Sequence, residues 1–220
     1  MKQIKGSIRF AGMLFILATA GSILGGMMIG TAVPDAGASV LTAANRTPLL
    51  IGVLLELVNV LCVLGIGSIL ASALRPGSDR AATGYAVLRT FEAVFCAVAI
   101  LAPLALLFSA GSTVGSTAPI FAMRAGVMSL MVPVLFSLGA LVLYSAMFRQ
   151  QVVPRFISVW GFSAAVLIFF VGLAGFILPN GLNESLQLAL GLPIILNELF
   201  LGAWLIIKGF REPVTVTSKQ

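Results

Sequence analysis

Four ionisable side chains sit where the sequence offers them no water. Glu56, Arg89, Glu92 and Glu198 each fall inside a run of apolar residues, with Asn59 and Asn197 close to two of them. At the centre of a membrane helix an Asp, Lys or Arg costs about 2.5–3.5 kcal/mol on insertion scales, and Glu is expected to be similar. Such residues face the interior of a helix bundle, pair with one another, and mark ion, proton or substrate paths. Three carboxyls against one arginine leave two negative charges unopposed. Arg124, at the outer end of a fourth apolar run, can reach Glu56 by snorkelling, which cuts the surplus to one. A carboxyl with no counter-charge in low dielectric is a candidate proton carrier, and an anionic pocket also suits a cationic ligand.

Other chemistries find no support. The chain has no histidine, which removes the usual general base and the commonest metal ligand. No lysine lies inside an apolar run, so a Ser–Lys dyad has no base. No Gly-rich phosphate loop and no zinc-spaced motif appears. Three glutamates and two asparagines have the hard oxygens for Mg²⁺ or Ca²⁺, but they are spread over three helices without diagnostic spacing. No metal and no cofactor is expected. Cys62 and Cys96, both in apolar runs, read as small core residues rather than a disulfide.

The elements that must position these groups are membrane helices. The chain is 60% hydrophobic and only 9% charged, against about 25% charged in soluble domains. Its 220 residues accommodate spans of about 20 apolar residues each. The expected architecture is all-α: one domain, 1–210, of six spans at about 8–30, 48–74, 82–108, 124–148, 156–178 and 185–207, then a polar tail, 211–220. The first span competes with a signal peptide, since Ala18-Thr19-Ala20 resembles a cleavage site. The apolar run continues well past it, so a retained span is favoured. Small residues four apart (Gly21/Gly25, Ser22/Gly26, Gly26/Gly30) suit close helix approach. Turn-rich loops are expected over Thr31–Thr47, Ser109–Met123 and Pro179-Asn180-Gly181. Asn45-Arg46-Thr47 and Asn183-Glu184-Ser185 match the glycosylation pattern, which is too short to carry weight.

The formal charge of +6 is concentrated at span ends, where it fixes topology rather than binding nucleic acid. Ten of the basic residues fall at the N-terminus, the 75–80 and 149–155 turns and the C-terminal stretch, against Arg46 and Arg124 opposite. The positive-inside rule then puts both termini in the cytoplasm. Trp160, Trp204 and Tyr85 fall near the same ends and read as interfacial anchors. At a rise of about 1.5 Å per residue, Glu198 lies about 15 Å in from that side, with Glu92 at nearly the same depth. Arg89 precedes Glu92 by three positions and shares its face. Glu56 enters from the opposite side, and Asn59 continues its face inward. Glu92, Glu198 and Asn197 are thus expected to meet near mid-membrane. Pro103, Pro133 and Pro193 interrupt three of the helices, where each removes a backbone hydrogen bond.

Several stretches carry a family resemblance. Arg9 and Gly12 with LFILATAGSILGG, LLELVN at Leu54–Asn59, and Gly84-Tyr85…Arg89-Thr90-Phe91-Glu92 are three of them. Val153-Pro154-Arg155…Ser158-Val159-Trp160-Gly161 follows, and LPIILNELFLGAWLIIKGF at Leu192–Phe210 is the most specific. Together they resemble the bacterial and archaeal membrane family catalogued as domain of unknown function 4386. The resemblance implies a six-span prokaryotic membrane protein, with Ser109–Met123 a shortened form of a longer family loop. It also implies that Glu56, Arg89, Glu92, Asn197 and Glu198 belong to the family's shared pattern, and it brings no activity with them.

The leading functional reading is a non-enzymatic protein of the prokaryotic plasma membrane. Its buried site, Glu56, Asn59, Arg89, Glu92, Asn197 and Glu198, would take a small molecule, a lipid or a proton, with the bilayer as its only other expected partner. The rival is a structural or assembly protein whose charges only clamp helices. A lipid-modifying enzyme is a third, remote reading.

Overall fold

A computed structural model describes residues 2–33, 42–109, 117–178 and 182–211. Of the loop expected over Thr31–Thr47, Thr31–Ala32 and Ala43–Thr47 are helical, and 34–41 lies outside the described residues. So do 110–116, the turn at 179–181 and residues 212–220 of the tail expected from 211. The described chain is helical throughout: α1 (Lys2–Ala32), α2 (Ala43–Leu74), α3 (Asp79–Phe108), α4 (Ala118–Gly126), a π-helical turn (Val127–Met131), α5 (Val132–Gln150), α6 (Arg155–Ile177) and α7 (Glu184–Ile207). The segment from α4 through α5 is one continuous rod, so six helices are long and apolar enough to cross a membrane. The chain is an integral, multi-pass membrane protein.

Local chemistry sets several ends. Thr42 accepts a hydrogen bond from the Asn45 amide while its own amide donates to Asn45 Oδ1, a reciprocal capping box that opens α2. Ser78 caps α3, and Asn183 caps α7 by accepting from the Leu186 amide at 2.7 Å. Both glycosylation-pattern asparagines therefore serve helix starts. Gly209, at φ +69, closes α7 in the left-handed conformation that glycine adopts without strain. The loop expected over Ser109–Met123 is helical from Ala118, because Pro119 at the first turn suits a helix start. Arg124 consequently lies inside the fourth rod rather than at its outer end.

The helices close into a ring. Each packs on its chain neighbour, α1 on α2, α2 on α3, α3 on α5, α5 on α6 and α6 on α7, and α7 returns to α1. At the closing seam a side-chain carbon on Gly12 would come within 2.6 Å of the Gly202 carbonyl oxygen, and one on Gly202 within 3.0 Å of the Gly12 oxygen. Backbone meets backbone there, which only small residues permit. The α1–α2 seam works similarly through Gly21, Gly25 and Gly52, whereas Gly26 and Gly30 meet nothing.

The basic turns share one end of the ring. Gln150 Nε2 donates to the Leu74 carbonyl at 3.1 Å, and the Arg211 amide donates to the Val152 carbonyl at 2.8 Å. Outward faces carry large apolar side chains such as Leu61, Phe91, Phe170 and Leu188, as a lipid-facing surface requires. Tyr85, expected as an interfacial anchor, is buried to 1% exposure within the main core. It occupies the inward face of α3 with Arg89 and Glu92 (i+4 and i+7), so the helical period that turns those charges inward turns Tyr85 inward too.

Candidate functional site

A cavity of about 260 Å³ lies inside the ring, and all six spans contribute to its wall. Glu56 and Asn59 come from α2, Arg89 and Glu92 from α3, and Glu198 from α7. The rest of the wall is mostly apolar, including Ile23, Val63, Phe136 and Ile194. Five of the six residues singled out from the sequence therefore meet at one space.

Asn197 does not join them. It is fully buried, and its amide donates to the Ile157 carbonyl of α6 at 3.1 Å. Consecutive helical residues point about 100° apart, and α7 is rotated so that Asn197 turns toward α6 rather than the cavity. Glu198 faces inward, and Asn197 ties α7 to α6.

Arg89 and Glu92 form a buried pair. Arg89 Nη1 donates to both carboxylate oxygens of Glu92, at 2.8 and 3.1 Å, with both residues 4% exposed. Spacing i, i+3 makes the pair a feature of α3 alone, so it joins no two helices. The long arginine stem fits because glycines flank it. A carbon on Gly67 of α2 would lie 2.8 Å from Arg89 Cβ, and one on Gly139 of α5 3.6 Å from Cδ. The guanidinium sits 5.8 Å from the Phe136 ring centroid, within cation–π range. Its Nε has no hydrogen-bond partner among the described residues.

Glu56 pairs with Arg124, which donates to both of its oxygens and joins α2 to α4. The same Nη1 donates to the Ala99 carbonyl at 2.7 Å. Ala99 is four residues before Pro103, so its carbonyl has lost the amide that would normally bond it. Arg124 thus satisfies a proline-freed carbonyl and a buried carboxylate together. A comparable accommodation precedes Pro133. The π-helical turn bonds the Val132 amide to the Val127 carbonyl, and the Ser129 carbonyl faces Gly175 of α6.

With two arginines spent on two carboxylates, Glu198 is the carboxyl left over. It forms no salt bridge among the described residues, and its partner is Thr19 of α1, whose hydroxyl lies 3.3 Å from Oε2. That hydroxyl also lies 3.0 Å from the Phe15 carbonyl. A hydroxyl has one hydrogen to give and lone pairs to receive. Thr19 can donate to an ionised Glu198, or donate to Phe15 and accept from a protonated one. Arg89 attracts the Glu198 charge and Glu92 repels it, so the α3 pair acts on Glu198 with opposed signs. Tyr85 and Tyr144 are also close enough to feel its charge.

Thr19, Phe136, Gly67 and Gly139 do not stand out in the sequence. Thr19 reads there as part of a cleavage-site pattern, and the glycines read as generic packing residues. The one available signal is Pro103, since a proline at mid-helix leaves a carbonyl needing a donor, and Arg124 is a cation at the right end of the bundle to supply it. Cys62 and Cys96 are buried and unbridged, and no group of acidic or sulfur side chains among the described residues is arranged to hold a metal.

No curated protein and no solved structure matches this chain. Residues 10–209 match the family described as Domain of unknown function (DUF4386), which takes in every helix of the ring and every residue of the cavity, and the chain belongs to that family.

Proposed function

We propose that the ring is a binding protein for a proton or a small organic cation, with Glu198 as the group that receives it. One observation carries this reading. Among the cavity carboxyls Glu198 alone lacks an arginine, and its hydroxyl partner suits either protonation state. The apolar remainder of the wall favours a cation with hydrocarbon substituents over a hydrated metal ion. Coupling of proton exchange to ligand movement, as in a carrier, is the natural use of such a carboxyl. The family resemblance supports the plasma membrane of a prokaryote as its location, and the lysine and arginine distribution supports a basic end and both termini in the cytoplasm.

The test is thermal unfolding of detergent-solubilised protein with and without tetraethylammonium. The ligand should raise the melting temperature of wild type and leave that of Glu198→Gln unmoved, while the unliganded temperatures agree closely. An equal ligand shift in both proteins rejects the reading. A purely structural role is favoured for the other charges of α2 and α4, because Arg124 and Glu56 do bridge two helices. Replacing Arg124 should therefore cost stability rather than ligand affinity.

A further inference from the structure

A second recess, also of about 260 Å³, opens on the outside of the ring between α5 and α6 at the basic end. It shares no residue with the central cavity. Tyr144, Ser145, Arg149, Ser158 and Ser163 supply polar groups, and Phe148, Val159 and Phe162 supply the apolar wall. Those three apolar side chains are exposed on the lipid-facing surface. No acidic residue lines the recess. Arg149 is exposed at its rim, and Arg155 stacks 5.7 Å from the Phe148 ring centroid, adding a second cation beside it.

Ser158 is the informative member. It is 1% exposed, yet its hydroxyl has no partner among the described residues. Helical serines and threonines ordinarily return their hydrogen to a carbonyl one turn back, as Ser72 does to Ser68 and Thr90 to Ala86 here. Ser158 is part of the wall of a recess whose charge is wholly positive, and its donor is unspent. A ligand that offers several acceptor oxygens and negative charge would answer both, and a phosphodiester does so. The exposed phenylalanines and Val159 continue the recess along the bilayer face, where acyl chains lie.

We propose that this recess binds one anionic phospholipid. Its phosphate accepts hydrogen bonds from Arg149 and Ser158, with Ser145 and Ser163 alongside, and its chains run along Phe148, Val159 and Phe162. The proposal does not depend on Glu198. The test is native mass spectrometry of detergent-purified protein loaded with phosphatidylglycerol or phosphatidylcholine and then washed. Wild type should retain phosphatidylglycerol, and Arg149→Gln should lower retention about fivefold. Ser158→Ala should lower it as well, Glu198→Gln should leave it unchanged, and excess inorganic phosphate should not displace it. Unchanged melting temperatures of the lipid-free variants confirm that they fold. Equal retention of phosphatidylcholine, full retention by Arg149→Gln and Ser158→Ala, or displacement by inorganic phosphate would each overturn it.

Discussion

The two buried arginines do different work, although each neutralises one glutamate. Arg89 holds Glu92 within a single helix, so their pairing offsets burial without fastening anything. Arg124 fastens α2 to α3 and α4 at once, through Glu56 and the Ala99 carbonyl. Removing either partner of a buried pair strands the other charge, which typically costs about 3–5 kcal/mol. Glu92→Gln should therefore lower stability by about that amount in denaturant titration, whereas Glu198→Gln should be nearly neutral because no cation depends on it. Tyr85 gives a contrasting prediction. Its hydroxyl is buried without a partner among the described residues, so Tyr85→Phe removes an unsatisfied group and should leave stability unchanged or raise it by about 1 kcal/mol. A clear loss of stability in Tyr85→Phe would mean that the hydroxyl is bonded after all.

At the level of the helix, prolines and glycines decide where charges can go. Pro103 frees a carbonyl and Arg124 takes it, so the two residues should be energetically coupled. In a double-mutant cycle, Arg124→Met should cost about 1 kcal/mol less in a Pro103→Ala background, where the backbone amide gained at that position can bond the Ala99 carbonyl instead. Additive costs would contradict the coupling. The Gly12–Gly202 seam closes the ring, and a methyl at Gly12 would drive into backbone oxygen. Gly12→Ala should destabilise the protein by about 1–3 kcal/mol. How much of this can be read from the sequence follows from range. Apolar runs, caps and the i, i+3 spacing of Arg89 and Glu92 are local signals, and they locate six helices and the charged residues of the cavity. Whether Asn197 or Glu198 faces the cavity depends on the rotation of α7, which its apolar-all-round sequence does not fix. The Thr19–Glu198 contact depends on ring closure between the first and last helices, which leaves no mark in either segment alone.

The molecule as a whole is a ring with a polar patch inside and hydrocarbon outside, the arrangement expected when lipid takes the place of water as solvent. Its basic turns lie together at one end, the end that the proposed topology puts in the cytoplasm. The buried native cysteines allow a clean check by labelling in intact cells. Ser78→Cys and Gln151→Cys should resist a membrane-impermeant maleimide until the cells are opened, and labelling from outside would invert the topology. The binding function proposed for the ring requires that Glu198 carry an exchangeable proton that a cation can replace. Infrared difference spectroscopy of reconstituted protein can follow the carbonyl stretch of a protonated carboxyl as tetraethylammonium is added. Wild type should lose such a band on binding, and Glu198→Gln should show no band to lose. An identical response in the two proteins, or none in wild type, would leave Glu198 without the proton assigned to it.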